Sequence, residues 1–367
     1  MGKFKKVFRR LPDPRAKNAR HELLEVLFIA LAAVLCGADS CADMADFGQS
    51  KEGLLRLFLR LEHGIPSHDT FSRVFRLLKP EAFELAFRRF MAAFAKANGI
   101  KLTGVVAVDG KALRGAYERG ARTTPLHLVN VFAVDARMAL AQQKAAGRNE
   151  TAGALEVLDL LCLKGCIVTA DALHCHRAFA EAVIERDGNY VLAIKANRGR
   201  LYTAVVQQFA RSGNRSNAEL IDRSSHDRHE ARRATVMRNT SLVPRYNFPG
   251  VAAIGRVTSR RRLRGQPAEA PYVRYYILSR YISPSRLLQI TRSHWGIENR
   301  LHWVLDVNFA EDANRARSDH APENLAILRR LALNILRAHP DQASIRRKIK
   351  RAGWDDAFLL AILSHMR

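Results

Sequence analysis

The chain has 367 residues, enough for two or three domains with a sizeable buried core, and its 48% hydrophobic content excludes a disordered protein. Its 60 Lys and Arg residues exceed 35 Asp and Glu residues, and the resulting formal charge of +25 indicates a polyanionic partner. The longest apolar run, Val26 to Leu35, is much shorter than the roughly 20 residues of a membrane-spanning helix. Nucleic acid is therefore favoured over a membrane as the partner.

The basic start of the chain and its cysteines indicate a compartment. Pro12 and Pro14 interrupt the start, and no small-residue cleavage site follows the first apolar run, so we interpret it as a DNA-facing tail rather than a signal sequence. Five cysteines, an odd and scattered number, do not predict a disulfide framework. The best candidate for a zinc site is Cys162 and Cys166 with the later cluster from His174 to His176. We interpret these residues as structural thiols and polar loop residues rather than as zinc ligands. We expect a cytoplasmic, nucleoid-associated bacterial protein.

Residues 1–98 are predicted to form a helical, DNA-binding N-terminal domain. Residues 22–35 are apolar on nearly every face, which is typical of a buried helix. Ser40 and Asp43 have the spacing of a capping box that opens another short helix. From Phe83 onward, phenylalanines recur at helical spacing to about residue 97 and are interpreted as core.

Two helices within this domain, around 51–61 and 68–78, are joined by a tight turn that contains Gly64. This pattern fits a helix-turn-helix-like unit and a plain helical hairpin equally well. Arg73 and Arg76 lie off the apolar stripe of the second helix, and they are candidate DNA contacts.

The middle of the chain changes to strand patterns. Residues 99–199 contain three strand candidates in a meander, followed by alternating helix, strand, helix and strand. This order predicts an α/β catalytic domain that is completed by residues 276–340. The β-rich segment 200–275 is predicted to be looped out between them, and residues 341–367 form a basic helical tail.

Arginines are concentrated in the β-rich segment. A basic run of this kind is usually a solvated loop, but the charge of the whole chain favours contact with DNA phosphates. The candidate residues are Arg256, Arg260, Arg261, Arg262 and Arg264. In the C-terminal tail, a similar exposed helix face is expected at Arg346, Arg347, Lys348, Lys350 and Arg351.

Three acidic residues lie in contexts suited to a metal-dependent DNA-cutting enzyme. Asp109 in VVAVDGK and Asp171 in IVTADAL each follow an apolar run typical of a buried strand, so their carboxylates are expected where neighbouring strands end. Glu298 in HWGIENRLHWVLDV has helical surroundings and is expected to project across those ends. Carboxylates brought together repel one another unless a cation lies between them, and oxygen ligands favour Mg²⁺ or Mn²⁺. The leading hypothesis is a site for two ions.

Seven sequence blocks, spread over nearly the whole chain, resemble the DDE transposases of bacterial insertion sequences. The resemblance is strongest to the family that includes the H-repeat-associated proteins. The blocks are, in order, GIPSHDTFSRVF, VVAVDGKALRG, LHLVNVFAVD, LLCLKGCIVTADAL, YVLAIKANRG, HWGIENRLHWVLDVNFAED and APENLAILRRLALNIL.

The resemblance implies an RNase H-like catalytic fold, with Asp109, Asp171 and Glu298 as the acidic set. It also supports a β-rich insertion ahead of the glutamate. Related transposases often carry a tyrosine, an arginine and a later lysine around that glutamate. This chain has Thr291, His294 and Leu305 at those offsets, so the phosphate-binding roles of the three partners do not carry over.

Other residues near the proposed site have two interpretations. Lys111, Arg114, Lys195 and Asn197 lie just beyond strand ends, where they are candidates for phosphate contact, although solvated surface positions are nearly as common. The side chains flanking Glu298 are expected to pack and orient its helix; they are His294, Trp295, His302 and Trp303. Glu311 and Asp312 are the alternatives to Glu298 as the third acid.

The favoured function is a DNA transposase that cuts element ends and joins them to target DNA with two Mg²⁺ or Mn²⁺ ions. Its expected partner is double-stranded DNA, held by a homodimer. No phosphate-cradling GxxxxGK loop occurs, so no nucleotide cofactor is implied. One alternative is a transposase-derived DNA-binding protein that is no longer catalytic, which the intact acidic set argues against. A weaker alternative is an RNase H-like nuclease without strand transfer.

Overall fold

A computed structural model describes the chain over most of its length. The described residues are 2–16, 19–117, 125–212, 218–224, 228–239, 241–263, 267, 269–364 and 366. Within them, helices pack on both faces of one mixed β-sheet of nine strands. No helix in this part of the chain is both long and apolar enough to cross a membrane.

The N-terminal region is helical, as expected. Its helices are α1 (Gly2–Phe8), α2 (Leu23–Leu35), α3 (Cys41–Ser50), α4 (Glu52–Leu55), α5 (His68–Leu77) and α6 (Pro80–Ala97). Every residue of α2 is buried, and the Ser40–Asp43 capping box is present at the start of α3. The helix predicted over 51–61 is wrong in extent, because α4 has only one turn. The first member of the proposed helix-turn-helix unit is therefore too short to form that motif.

The sheet region alternates strands and helices. Its elements are β1 (Gly104–Tyr117), β2 (Pro125–Ala133), β3 (Met138–Lys144), α7 (Glu150–Asp159), β4 (Cys166–Ala170), α8 (Arg177–Ile184), β5 (Asn189–Ile194), α9 (Gly199–Arg211), β6 (Ala218–Ser224), β7 (Arg228–Arg238), α10 (Leu242–Tyr246), β8 (Ala253–Leu263) and β9 (Tyr272–Leu278). The C-terminal helices are α11 (Pro284–His294), α12 (Trp303–Phe309), α13 (Ala321–Ala338), α14 (Ile345–Trp354) and α15 (Asp356–Ser364). A π-helical turn, Glu298–His302, lies between α11 and α12.

The strand order is β3-β2-β1-β4-β5-β9-β8-β7-β6. The predicted meander is antiparallel, and the predicted pairing of β1 with β4 is present and parallel. The expectation that residues 200–275 loop out of the sheet is wrong. β9 pairs antiparallel with β5, so β6 to β9 extend the same sheet. This pairing uses the backbone groups of β5 that would otherwise form an open edge.

Alternation along β1 separates two buried apolar clusters. Val106 and Val108 pack with α7 and α8, whereas Val105 and Ala107 pack with the N- and C-terminal helices on the other face. Odd-numbered side chains of this stretch, including Asp109, therefore project toward the face that carries α11, α12 and α13.

The C-terminal region differs from expectation at one residue. Lys348 of α14 is buried, and its Nζ donates hydrogen bonds to the carbonyls of Leu336, at 2.8 Å, and His339, at 3.0 Å. These bonds satisfy carbonyls at the end of α13. Lys348 therefore does not belong to a DNA-facing basic surface, while Arg346, Arg347, Lys350 and Arg351 are exposed.

Candidate metal centre and DNA interface

Asp109 and Asp171 come from neighbouring parallel strands. The β1–β4 pairing ends at Val108 opposite Ala170, so each aspartate is the residue that follows the last pair. Asp171 follows the end of β4, and its carboxylate accepts a 2.9 Å hydrogen bond from the Leu173 amide. The expectation that Asp109 also ends a strand is wrong, because β1 continues to Tyr117 in its pairing with β2.

Gly110 is not a turn residue, although Asp-Gly pairs commonly mark turns. It lies within β1 on the face opposite Asp109. A Cβ atom there would lie 2.5 Å from a carboxylate oxygen of Glu150, at the start of α7. Glycine at this position therefore gives the α7 face room to close against the strand that carries Asp109.

Glu298 opens the π-helical turn between α11 and α12. Ile297, Leu301 and Leu305 are fully buried, which fixes the turn against the core and leaves the Glu298 side chain half exposed in the cleft. Wide turns of this type are frequent at functional sites. Glu298 thus projects toward Asp109 from the helical layer, as the sequence predicts.

The side chains of Asp109, Glu298 and His302 form a compact group. Their potential ligand atoms all lie within 4.8 Å of one another. The Nδ1 atom of His302 is 3.4 Å from Oε2 of Glu298 and 3.8 Å from Oδ2 of Asp109. Asp171 is not a member of this group, but it lines the same cleft of about 420 Å³ as Asp109 and Glu298.

The two grouped carboxylates have opposite pKa shifts. Burial raises the pKa of Asp109 to about 8, and a hydrogen bond to Glu298 and the charges of Glu298 and Asp171 act in the same direction. A hydrogen bond from His302 lowers the pKa of Glu298 to about 2, and the Asp109 carboxyl also donates to it. A proton on Asp109 thus relieves the repulsion between the acids, and a bound cation would replace that proton. The oxygen-rich donor set fits a hard divalent ion.

Neither alternative to Glu298 joins this group. Glu311 is fully buried in an ion pair with Arg330, with 2.7 Å between Oε1 and Nη1. Asp312 lies beside Arg114, with 3.6 Å between Oδ2 and Nε. Of the three acids considered for the third position, only Glu298 lies against Asp109.

Lys111 does not have the exposed position that phosphate contact would need. It lies two residues after Asp109 on the same face of β1, beneath α12, and is only 7% exposed. Its ammonium contacts the carboxylate of Asp306 and lies 3.1 Å from Oε2 of Glu311. It also donates a 3.3 Å hydrogen bond to the carbonyl of His302. Lys111 therefore joins β1 to the segment that carries Glu298.

Arg330 of α13 extends this buried contact to β2. Its Nε donates a 2.8 Å hydrogen bond to Oδ1 of Asn130, and Asn130 is the residue paired with Asp109 across β1 and β2. We call Lys111, Asn130, Glu311 and Arg330 the buried charge network. Each member is at most 7% exposed.

The other candidate DNA contacts near the cleft differ in their positions. Lys195 is exposed and lines the cleft that contains the acids. Asn197 donates a 2.9 Å hydrogen bond to the carbonyl of Ala172, so its amide holds the turn after Asp171. Arg114 is exposed at the far part of β1, beside Asp312.

The N-terminal candidates lie on the exposed side of α5. Arg73 lines a small cleft of about 280 Å³ together with Arg15 and Arg20. Arg76 forms an ion pair with Asp319, with 2.9 Å between Nη2 and Oδ2.

The arginine run of the β-rich segment lies on a strand rather than in a loop. Arg256, Arg260, Arg261 and Arg262 belong to β8, whereas Arg264 lies outside the described residues. Because side chains alternate along a strand, Arg256, Arg260 and Arg262 lie on one face and Arg261 on the other. Arg261 lines a larger cleft of about 1190 Å³ that adjoins the acidic cleft.

The residues flanking Glu298 divide into two kinds. The packing expectation is wrong for the tryptophans, because Trp295 is 47% and Trp303 59% exposed. The Arg274 guanidinium lies 5.5 Å from the centre of the Trp295 ring. His294 bonds to Thr169, with 3.1 Å between Nδ1 and Oγ1. Sequence reasoning missed the place of His302 beside both acids, although its spacing of four residues from Glu298 was a signal for it.

Comparison with known proteins gives the family of the chain. The family described as Transposase DDE domain matches residues 101–335, and the family described as DDE_Tnp_1-associated matches residues 5–91. The chain belongs to the DDE transposase family. The matched region contains Asp109, Asp171 and Glu298.

Relatives of similar length are found in bacteria. The chain is 31% identical to "Putative transposase YncI" of Escherichia coli O157:H7, over 96% of this chain and 92% of the relative. It is 30% identical to "H repeat-associated putative transposase YhhI" of Escherichia coli strain K12, over 96% of each protein. Among solved structures, a piggyBac transposase synaptic complex with hairpin DNA aligns with a TM-score of 0.42 and 10% identity, over 100% of this chain and 77% of the other.

Proposed function

We propose that the chain is a metal-dependent DNA transposase that cuts the ends of an insertion sequence and joins them to target DNA. The observation that carries this proposal is the approach of Glu298 to Asp109 in the cleft that Asp171 also lines. Family membership supports this reaction class. The expected substrate is double-stranded DNA, and the expected assembly on DNA is a homodimer.

The three acids have separate tasks in this proposal. Asp109 is close enough to both other acids to be affected by their charges, so it is proposed to contact both ions, while Asp171 and Glu298 would each hold one. Two bound Mg²⁺ or Mn²⁺ ions would lower the pKa of the attacking water and neutralise charge on the leaving 3′ oxygen. The protein itself needs no nucleophilic side chain. The buried charge network keeps β1 and the π-helical turn in a fixed relation, so that Asp109 and Glu298 stay in register with each other.

The catalytic unit is proposed to be RNase H-like. Its supporting features are the antiparallel meander β1 to β3 and the parallel pairs β1–β4 and β4–β5, with one acid on β1 and one directly after β4. The proposed domain limits are 99–199 with 276–340 for this unit, 1–98 for the N-terminal DNA-binding domain and 341–367 for the tail. Residues 200–275 extend its sheet from β5.

DNA is proposed to cross the acidic cleft and the adjoining larger cleft. Lys195 borders the first, and Arg261 and Arg274 border the second. Arg73 on α5 would contact DNA outside the site of cleavage. Phosphate contacts of this kind give affinity, whereas base contacts give sequence preference.

The test is cleavage of a duplex that carries the terminal sequences flanking the gene. Wild-type protein should cut it only with Mg²⁺ or Mn²⁺. Asp109→Ala, Asp171→Ala and Glu298→Gln should each reduce cleavage by at least about 10³-fold while DNA binding remains measurable. Asp312→Asn is the matched control, because this acid is near in sequence but pairs with Arg114 outside the group.

Two outcomes would contradict the proposal. Cleavage that persists in EDTA would exclude the proposed ions. Specific DNA binding without cleavage by the wild-type protein, under any divalent ion, would favour the alternative of a transposase-derived DNA-binding protein.

A further inference from the structure

We propose that His302 is a direct ligand of one of the two ions, and that its imidazole makes this position prefer Mn²⁺ to Mg²⁺. The inference rests on the proposed function only in assuming that divalent ions bind at this cleft. It assigns the histidine a role that the acidic set does not include.

The first argument is convergence. Nδ1 of His302 faces both acids, at 3.4 Å from Glu298 Oε2 and 3.8 Å from Asp109 Oδ2. Donor atoms around one small divalent ion lie about 3 Å apart when the bonds are near 2.1 Å. The three side chains are thus already close to the spacing of a shared ion, and small rotations of the carboxylates would complete it.

The second argument is that His302 is held in place. Its side chain is only 6% exposed, and its neighbour Leu301 is fully buried. Its own carbonyl accepts a hydrogen bond from the buried Lys111 ammonium. A ligand whose backbone is fixed in this way loses little freedom when an ion binds.

The third argument concerns the two nitrogens of the ring. Nε2 is buried and has no hydrogen-bond partner among the described residues. No bond at Nε2 is therefore lost when the proton moves to that nitrogen and Nδ1 presents its lone pair. The cation replaces the hydrogen bond that Nδ1 makes to Glu298 in the metal-free protein.

The two proposed ion positions would then differ in the side-chain atoms that bind the ion. Asp171 is outside the His302 group, so the position shared by Asp109 and Asp171 has only oxygen donors from these side chains. The position of Asp109, Glu298 and His302 adds one nitrogen. Mg²⁺ prefers an all-oxygen shell, whereas imidazole suits transition metals. The second position should therefore retain Mn²⁺ against a larger excess of Mg²⁺.

The direct test is pulsed electron paramagnetic resonance of the full-length protein loaded with Mn²⁺ alone, without DNA. Wild-type protein should show a ¹⁴N coupling to bound Mn²⁺, which changes when histidine is labelled with ¹⁵N. His302→Gln should remove this coupling and weaken Mn²⁺ binding by roughly tenfold or more. In competition experiments, His302→Gln should lose less affinity for Mg²⁺ than for Mn²⁺, relative to the wild-type protein.

His127→Gln is the matched control. His127 also lies beside a carboxylate, 3.1 Å from Oε1 of Glu150, but on the opposite face of the sheet. This variant should keep the coupling and the Mn²⁺ preference. If His302 only orients Glu298, His302→Gln would weaken both ions equally and the wild-type protein would show no ¹⁴N coupling. That result would overturn the inference.

If His302→Gln does not fold, a wild-type spectrum without a ¹⁴N coupling still overturns the inference, and a coupling that persists in His294→Gln excludes the other histidine of the cleft as its source. The outcomes also separate this inference from the proposed function. Protein with the nitrogen coupling that fails to cut its terminal DNA would contradict the transposase activity and leave the ligand assignment standing. Protein that cuts DNA with Mn²⁺ but lacks the coupling would contradict the ligand assignment alone.

Discussion

Glu298, in the π-helical turn before α12, and Glu311, after the end of α12, have very different surroundings. Glu311 is fully buried, and although burial alone would raise its pKa, Arg330 and Lys111 hold the pKa at about 2. Glu298 is half exposed and faces another acid, Asp109, whose pKa is raised to about 8. The charge of Glu311 is neutralised by cations of the protein itself, whereas Asp109 and Glu298 face each other as two acids.

This difference indicates where a ligand can contribute. Buried charges that already have partners hold the fold in one arrangement and have no need of an external ion. Acids that repel one another store unfavourable energy that a bound cation relieves. The two groups are physically connected through Lys111, so the neutralised acid supports β1 and the π-helical turn, on which the repelling pair lies.

The largest expected effect comes from removing the charge of the neutralised acid. Glu311→Gln leaves Arg330 buried without its partner and should lower the free energy of unfolding by about 3–5 kcal/mol. Urea unfolding followed by circular dichroism measures the change. Asp312→Asn, at the next residue, removes an ion pair whose arginine is largely exposed, and should cost at most about 1 kcal/mol. Equal losses from the two variants would contradict the comparison.

Glu84 tests the same reasoning on a buried acid that has no ion pair within 4 Å among the described residues. Its Oε1 accepts a 3.1 Å hydrogen bond from the Gln142 amide, and burial raises its pKa from 4.5 to about 8. A raised carboxyl pKa means that the folded state holds the proton more tightly than the unfolded state. Its stabilising contribution is therefore complete below pH 4.5 and is lost as the pH rises toward 8.

The corresponding variant is Glu84→Gln. It should flatten the decline of stability between pH 4.5 and 8, a decline on the order of a few kcal/mol. Urea unfolding at a series of pH values measures this slope in both proteins. Glu185→Gln, at an exposed acid after α8, is the control and should keep the wild-type slope. A slope that is unchanged in Glu84→Gln would show that Glu84 is ionised in the folded protein.

Much of the sheet was predictable because apolar runs with strand periodicity are local signals. VVAV and IVTA lie in β1 and β4, and both these runs and the resemblance singled out the acids that follow them. The pairing of β9 with β5 was not predictable, since nothing local specifies which strand covers the edge of β5. The β-rich segment was recognised as strands but placed outside the sheet for that reason.

The site was less predictable where a distant partner decides the role of a side chain. Lys111 follows a strand-like run, as an exposed lysine would, and it is buried by the approach of Glu311 and Asp306. Arg330 lies among the leucines of α13, where its partner Glu311 cannot be read from the helix pattern. The π-helical turn that brings His302 beside the acids also depends on packing against the core rather than on local sequence.

A smaller effect should follow from relieving repulsion in the acidic pair. Asp109→Asn keeps the shape of the side chain but removes a carboxyl whose pKa is raised to about 8, so folding at neutral pH no longer requires this residue to take up a proton or to face Glu298 as a second negative charge. In EDTA at neutral pH, it should raise the free energy of unfolding by about 1–2 kcal/mol. Mn²⁺ should then raise the melting temperature of the wild-type protein but not of the variant, because bound ligand stabilises the folded state. Destabilisation by Asp109→Asn in EDTA would show that the pair is not strained.

The smallest effect on the protein itself is expected at cations that lie on the surface rather than in the buried charge network. Arg260→Ser with Arg262→Ser removes two exposed arginines from one face of β8, with little change in stability. If both contact phosphates, affinity for specific and random DNA should fall alike, and the magnitude of the slope of log affinity against log salt should decrease by about 0.9 for each contact.

Arg73→Ala with Arg76→Ala, on α5, should instead reduce the discrimination between specific and random DNA. Arg177→Ser is the control, because Arg177 is paired with Glu181 at 2.7 Å on α8. Equal loss of discrimination from the β8 and α5 variants would contradict the separation of phosphate contact from sequence preference, since both surfaces would then act in the same way.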